Sequence, residues 1–470
     1  MKYHAAYNLR REWKVTKEKL EKRPTKHTEP AQLFNVRKSQ HGAHCAEFLR
    51  KPVWFVRPPG NDDTQGKGHA RDLWQAVSKS NRDFYVFSAH YDVKGTTFWD
   101  SGRAIAPVVR IIGVSRKKLL DKPLFCQMWF NQTDQLRVEQ AILSGIPEGH
   151  DKNYSAVFFL CPLWIPGLAP YAVSLVTAQC SKPYNLMYVH ESPRKQLPAK
   201  DFTVCVSPLN RRYNRVNELV QMIEFNRLFG ADFFVFYNFS TGPNVDKVLN
   251  QYAKEGLVQI VQWHVPLEMD TWPQINEVEI HYFGQLAALN DCLYRNMHSS
   301  KFLVFSDMDE LIVPRKHKYW SAMLDALPET NVYHFRCTFF RRDWPESTDN
   351  FTQLSTAKRL KLDYLLTLDR ESTILPIYSR SKFILEPGNV EIVGIHNIWA
   401  VRSGAQREHI VDPTVGLLHH YRKLEQSANR THDPAILDFA NNLVHRAKER
   451  WLILQNMTIR ETHLSDKNDL

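Results

Sequence analysis

The chain has 470 residues, a formal net charge of +11, 43% hydrophobic residues and 12% aromatic residues. That length can bury a full core in two domains, and the composition excludes a disordered, collagen-like or small disulfide-scaffold chain. The basic excess is partly crowded at the N-terminus, where Arg10, Arg11, Lys14, Lys17, Lys19, Lys22 and Arg23 follow one another with few apolar anchors; such a run reads as a solvated arm, not a nucleic-acid surface.

Residues 1–80 are mixed polar and proline-containing, including Pro58-Pro59-Gly60-Asn61-Asp62-Asp63, and read as a stem or linker. Their N-terminal part lacks the apolar core of a signal peptide. No stretch reaches the roughly 20 uninterrupted apolar residues of a spanning helix, and Ala156 to Val176 is cut by Pro162, Pro166 and Pro170. Taken alone this implies a cytosolic chain or one whose anchor is not visible.

Residues 81–200 carry short β-like runs at Phe84–Ala89, Val108–Val114, Leu124–Phe130, Ala156–Leu160 and Ala172–Thr177, separated by turn residues, which predicts a small β-rich module. Residues 201–470 change rhythm. Phe202–Val206 reads as a strand, then a helix from about 214 to 229 is closed by Gly230. Strand Phe233–Tyr237, a helix at 245–255 stopped by Gly256, strand Leu257–Trp263, a helix around 282–297 and strand Phe302–Phe305 follow. Strands alternating with helices predict an α/β fold with a mostly parallel sheet. Val332–Phe340 is the next predicted strand.

Six Asn-x-Ser/Thr sequons, at Asn131, Asn153, Asn238, Asn350, Asn429 and Asn456, point toward a lumen, although Asn238 ends an apolar strand and suits a structural role. The seven cysteines permit three disulfides and one free thiol and have no CxxC spacing, which argues against zinc. Cys205 and Cys292 lie in apolar runs and read as inert core thiols.

The chemistry concentrates where the fourth α/β strand ends in Ser306-Asp307-Met308-Asp309-Glu310. Ligands of open α/β sheets bind beyond the carboxyl ends of strands, and two hard oxygen donors there suit Mg²⁺ or Mn²⁺ carrying a diphosphate. A phosphatase of the haloacid-dehalogenase kind, with Asp307 as nucleophile, is the rival. That motif usually opens its domain and needs a later Gly-Asp, a dipeptide absent from this chain.

The run His281-Tyr282-Phe283-Gly284-Gln285 through Asn290-Asp291-Cys292-Leu293-Tyr294-Arg295, then Phe305-Ser306-Asp307-Met308-Asp309-Glu310 and Val313-Pro314, resembles glycosyltransferase family 92. Glu224-Phe225-Asn226-Arg227-Leu228-Phe229-Gly230-Ala231, Phe87-Ser88-Ala89-His90-Tyr91-Asp92, Ser381-Lys382-Phe383-Ile384, Gly394-Ile395-His396-Asn397 and His420-Tyr421-Arg422 fall in the same family's order. The resemblance covers roughly residues 80–425. It implies a GT-A type fold, a nucleotide-sugar donor and a divalent metal, usually Mn²⁺. It also implies inverting transfer of a hexose, typically galactose from UDP-galactose, onto a glycan acceptor in β-linkage, by a Golgi type II membrane protein. A non-catalytic glycan-binding protein of the same fold is the alternative.

On that resemblance Asp309 ligates the metal directly and Asp307 contacts it through water or holds the ribose. His396, after an apolar run and a glycine, is the expected third ligand, with His420 its rival. Ser207 and Pro208, just past the first strand, occupy the place where such folds admit uracil, and Asn210 and Arg211 are weaker candidates. Gln285 and Asn290, on the helix before the acidic motif, are expected to line the nucleotide pocket, and Arg380 and Lys382 to offset charge on the leaving diphosphate. Asp343, beside Trp344, is the expected catalytic base, with Glu346 competing.

Overall fold

The computed structural model describes residues 72–455 except 80, 97–105, 118–121, 131–135, 165–166, 191–197, 270–275 and 403–407. The basic arm, Cys45, Asn131 and Asn456 lie outside the described residues. The chain divides into two compact units, Met1–Glu191 and Ser192–Leu470.

In the first unit nine strands form one sheet: β1 (Gln75–Ala76), β2 (Phe84–Asp92), β3 (Val108–Arg116), β4 (Phe125–Trp129), β5 (Leu136–Gln140), β6 (Ile142–Gly145), β7 (Tyr154–Pro162), β8 (Ala172–Val176) and β9 (Met187–His190). Their order is β5-β4-β8-β9-β2-β3-β7-β6, with β1 on β2. All five expected β-like runs are strands here. β1 pairs antiparallel with β2, so ordered structure reaches back into the stretch expected to be linker. Val86, Val109, Ile111, Phe159 and Leu175 belong to the core, and a disulfide joins Cys126 to Cys161.

The second unit is α/β. β10 (Lys200–Leu209), α1 (Val216–Phe229), β11 (Phe233–Asn238), α2 (Pro243–Lys254), β12 (Val258–Gln262), α3 (Gln285–Asn296) and β13 (Ser300–Ser306) run in the predicted alternation. Gly230 ends α1 in the left-handed conformation at φ 117°, its N–H and that of Ala231 closing on Arg227 and Asn226 carbonyls. β12, β11, β10 and β13 pair in parallel in that order. The chain therefore leaves β10 toward one side and returns on the other, and the crevice beyond the ends of β10 and β13 is the switch point where α/β sheets bind ligands. This mixed sheet with flanking helices is of the GT-A type.

The predicted strand 332–340 is two strands, a correction to the sequence reading. β15 (Val332–Phe335) joins the sheet of β10–β13 beside β18 (Lys382–Leu385), whereas β16 (Cys337–Arg341) joins a second sheet of this unit. The break falls at Arg336, whose guanidinium donates to the carbonyls of Leu375 and Ile374, both at 2.9 Å. The second sheet contains β14 (Glu310–Pro314), β22 (Gly416–Arg422) and β16 as neighbours in that order. β14 begins inside the acidic motif, and its register sets Glu310 opposite His420.

A second correction concerns Cys205 and Cys292. They form a disulfide with Cα atoms 6.0 Å apart, because α3 packs on β10 and brings the two side chains together. Apolar flanks suit a buried disulfide as well as an inert thiol. Cys180 is also disulfide-bonded, and Cys337 is a free buried thiol.

Candidate active site

Ser207 and Pro208, expected just past the first strand, lie inside β10, which runs on to Leu209. Ser207 and Asp307 each follow the paired residues Val206 and Ser306, so the two side chains emerge side by side. The Ser207 hydroxyl donates to Asp307 Oδ1, and Gln285 Nε2 donates to Ser207 Oγ at 2.7 Å. Lys382, at the start of β18, places its ammonium 2.9 Å from Asp307 Oδ2 and 3.4 Å from Glu310 Oε2. Burial would raise the Asp307 carboxyl, but Lys382 and the Ser207 hydrogen bond hold it below the usual range.

Asp309 faces a different partner. His420 Nε2 lies 3.3 Å from Asp309 Oδ2, and its Nδ1 lies 3.3 Å from Glu310 Oε1. Burial opposes ionisation of Asp309, yet His420, Arg342 and Arg422 push its carboxyl far down. Burial would lower His420, but Asp309 first, then Cys337 and Glu310, raise it well above the ordinary imidazole value. The Tyr421 N–H donates to the Asp309 carbonyl at 2.8 Å, and the Tyr364 hydroxyl to that of Met308 at 2.7 Å, so the turn carrying both aspartates is pinned.

Glu310 is a site residue that the sequence reading passed over. Its side chain is fully buried, its Oε2 accepts the Asp307 N–H at 2.9 Å, and burial drives its carboxyl up to about 7. The available signal was its place in Asp-Met-Asp-Glu, one residue after Asp309. Arg342 was also missed. It pairs with the Glu218 carboxylate at 2.7 Å and acts electrostatically on Asp309, but nothing in its local sequence separates it from a solvated arginine.

His396 sits on the Lys382 side of the site. Its Nδ1 is 3.3 Å from the Ser381 carbonyl, and burial, then Lys382, lowers it to about 3. The imidazole set against Asp309 is that of the rival, His420. Arg380, with φ 58°, has its guanidinium 5.8 Å from the Phe339 ring centroid and acts on His396. The Pro208 carbonyl accepts from Asn210 Nδ2 at 2.9 Å, and Arg211 follows at φ 52°.

Two expected roles are corrected. Asn290 is fully buried and closes on Leu286 and Val393, donating at 2.8 and 2.9 Å and accepting from the Val393 N–H at 3.1 Å. It is a packing partner of α3, with no free edge for a nucleotide. Asp343 takes two hydrogen bonds from Arg341, at 2.8 and 2.6 Å, and one from the Leu424 N–H at 3.1 Å. The Arg341 bonds lower its carboxyl, which makes it a weak base. Glu346, on the same loop, is exposed.

The donor set was tested for a metal. Among the described residues, no three His, Cys, Asp or Glu side chains lie at ion-holding spacing. Two groups nonetheless converge: His420 Nε2 is buried and lies 3.3 Å from Asp309 Oδ2. One carboxylate plus one imidazole fits Mn²⁺ completed by substrate phosphates and water, provided the ion displaces the proton that Asp309 holds on His420.

Residues 200–468 match the family model Glycosyltransferase family 92. The chain is 33% identical over 121 residues to glycosyltransferase family 92 protein F13G3.3 of Caenorhabditis elegans, covering 25% of this chain and 23% of that one. It is 28% identical over 116 residues to beta-1,4-galactosyltransferase galt-1 of the same organism, covering 24% and 25%. The matches thus span about a quarter of each relative. Among solved structures, Staphylococcus aureus TarS 1–349 in complex with UDP-GlcNAc is similar with a TM-score of 0.27 and 13% identity, covering 48% of this chain and 60% of that one. Glucosyl-3-phosphoglycerate synthase from Mycobacterium tuberculosis, in complex with Mn²⁺, UDP and glucosyl-3-phosphoglycerate, is similar with a TM-score of 0.23 and 12% identity, covering 54% and 80%.

Proposed function

The chain belongs to glycosyltransferase family 92, and on that premise we propose that it transfers a hexose, galactose from UDP-galactose, to a glycan acceptor in β-linkage with inversion. The observation that carries the reading is the site at the β10–β13 switch point, where Asp307 and Asp309 stand side by side under different cations. The galactose preference draws on the family resemblance and on a relative named as a β-1,4-galactosyltransferase.

A divalent metal, Mn²⁺ by preference, is part of the proposal. Asp309 and His420 would hold it, with Asp307 alongside, and the bound ion supplies a Lewis acid for the leaving diphosphate. This chain's own residues do the rest. Lys382 pairs with Asp307 and, less closely, with Glu310, offsetting charge in the acidic motif. Glu310 and Asp309 hold the His420 imidazole from its two ends. Ser207 and Gln285 fix the Asp307 carboxylate. With Asp343 bound to Arg341, Glu346 is the better acceptor for the acceptor hydroxyl proton.

We also propose, on the family resemblance, that the protein works in the Golgi lumen as a type II membrane protein. Among the described residues no helix is long and apolar enough to cross a membrane. The disulfides suit an oxidising compartment, and Asn153, Asn350 and Asn429 are exposed sequons. Asn238 is half-buried and donates to Asp246 at 3.4 Å, which suits its structural reading.

Incubation of the purified chain with a panel of UDP-sugars, with and without Mn²⁺, tests the reading. Mn²⁺-dependent release of UDP, greatest from UDP-galactose, is expected. Turnover of no UDP-sugar would support the non-catalytic alternative and overturn the enzyme assignment.

A further inference from the structure

The turn before Lys382 holds two left-handed residues, neither of them glycine. The Pro376 carbonyl accepts the Ser379 N–H at 3.1 Å, which closes a four-residue turn. Its third residue, Tyr378, has φ 67°, at the place a type II turn ordinarily gives to glycine. Arg380 follows at φ 58°. A bulky side chain keeps such a φ only where its surroundings enforce it.

The enforcing contacts come from two distant segments. The Tyr378 hydroxyl donates to Glu408 Oε2 at 2.7 Å. Its ring meets the fully buried His334 imidazole edge-to-face, with centroids 5.4 Å apart. His334 Nε2 lies 3.1 Å from the same Glu408 oxygen. His334 belongs to β15, and Glu408 immediately precedes β21 (His409–Ile410), which pairs with β15. The tyrosine is thus clamped at its hydroxyl and along its ring.

What the clamped turn delivers is one wall of the acidic site. The Tyr378 N–H donates to Ser381 Oγ at 2.9 Å. Ser381 is fully buried, and its carbonyl lies 3.3 Å from His396 Nδ1. The next residue, Lys382, pairs with Asp307 at 2.9 Å. The Arg380 guanidinium stands 5.8 Å from the Phe339 ring centroid, and that ring is 5.1 Å from the His420 ring. Fastening the two-residue β21 to the sheet would account for Glu408 and His334. It would not account for a tyrosine held in a glycine conformation three residues before Ser381.

We propose that Tyr378 is a positioning residue: clamped by Glu408 and His334, it sets the turn that delivers Arg380 and Lys382 to the acidic site. The inference rests on the nucleotide-sugar reading and goes beyond it by naming a side chain that acts on the donor through others. Releasing the hydroxyl frees the turn to relax toward ordinary φ values. Ser381 then shifts with it through the Tyr378 N–H, and Lys382 no longer meets Asp307 at its present distance.

The test is calorimetric titration of the full chain with UDP in the presence of Mn²⁺, alongside thermal melting. Tyr378→Phe keeps the ring and loses the bond to Glu408; it is expected to weaken UDP about three- to tenfold, the span of one net hydrogen bond. Glu408→Ala should match it, whereas Glu408→Gln, which still offers a carbonyl oxygen to the hydroxyl, should restore most of the parent affinity. Tyr378→Ala and Tyr378→Gly separate positioning from stability. Both lack the clamp and should bind UDP equally weakly, while the glycine variant, unstrained at positive φ, should melt above the alanine variant. UDP affinity that simply followed melting temperature through the series would mark a structural role and overturn the proposal, as would unchanged affinity in Tyr378→Phe. A parent chain that bound no UDP would instead remove the nucleotide-sugar reading, and this inference with it.

Discussion

The ammonium of Lys382 stands 2.9 Å from Oδ2 of Asp307, and only 2% of the lysine side chain is exposed. The first aspartate of the motif is thus neutralised by a buried lysine, whereas the second meets the His420 imidazole, whose Nε2 lies 3.3 Å from its Oδ2. Replacing Lys382 by methionine leaves Asp307 and Glu310 with uncompensated negative charge. Breaking a buried pair in this way costs about 3–5 kcal/mol, and the 28% exposure of Asp307 puts the expected loss near the low end. Urea denaturation of Lys382→Met and of Lys382→Met/Asp307→Asn gives the measure. The double variant should recover part of the loss, and strict additivity would show that the two groups do not interact.

Asp309 and His420 carry the metal assignment. Asp309→Ala should keep the fold and reduce Mn²⁺-dependent UDP-sugar hydrolysis about 10³-fold, a change worth several kcal/mol. His420→Ala should weaken Mn²⁺ by about tenfold or more, read as free Mn²⁺ by electron paramagnetic resonance in the presence of UDP. His396→Ala serves as the control. If it, and not His420→Ala, released the metal, the ligand would be the histidine first expected from the sequence.

The α/β alternation was legible because short apolar strands alternate with helices from β10 to β13 and glycines, Gly230 and Gly256, follow the first two helices, signals that survive without tertiary information. The acidic pair was legible for the same reason: it ends a strand. What could not be read was pairing across the second sheet. Only the β14–β22 register sets His420, 110 positions after Glu310, against the motif, whereas His396 had the better local context. Asn290 misled because a buried amide that caps neighbouring backbone and one that lines a pocket share the same helical spacing. Asp343 misled because its Arg341 partner ends β16 and the turn that follows folds Asp343 back onto it, a local closure the sequence does not display.

His432 supplies a pH-dependent contribution outside the site. Its Nδ1 is 2.9 Å from Asp369 and its Nε2 3.0 Å from Asp349; the Asp369 hydrogen bond is the larger cause of its raised pKa. A histidine whose folded value lies above its unfolded one stabilises fully below about pH 6.5, and the gain disappears as pH rises through the folded value. With 47% of the side chain exposed, solvent limits the effect to about 1 kcal/mol or less. Melting temperatures at pH 6 and pH 8.5 should differ more for the parent than for His432→Gln. An identical pH dependence in both would remove His432 as the source.

The Cys205–Cys292 disulfide closes a loop between residues 87 apart in sequence and fastens α3 to β10. Both elements feed the site, β10 through Ser207 and α3 through Gln285. Losing such a cross-link should cost about 2–5 kcal/mol. Because the anchored helix also positions the bond to Ser207, the cost should reach function before global unfolding. The paired variant Cys205→Ala/Cys292→Ala is expected to lower the urea midpoint and, at low urea where the chain is still folded, to weaken UDP binding. Cys126→Ala/Cys161→Ala, which breaks the disulfide of the first unit, should lower stability without that early loss of UDP affinity. Equal effects of the two pairs on UDP binding would show that the disulfide under α3 serves stability alone.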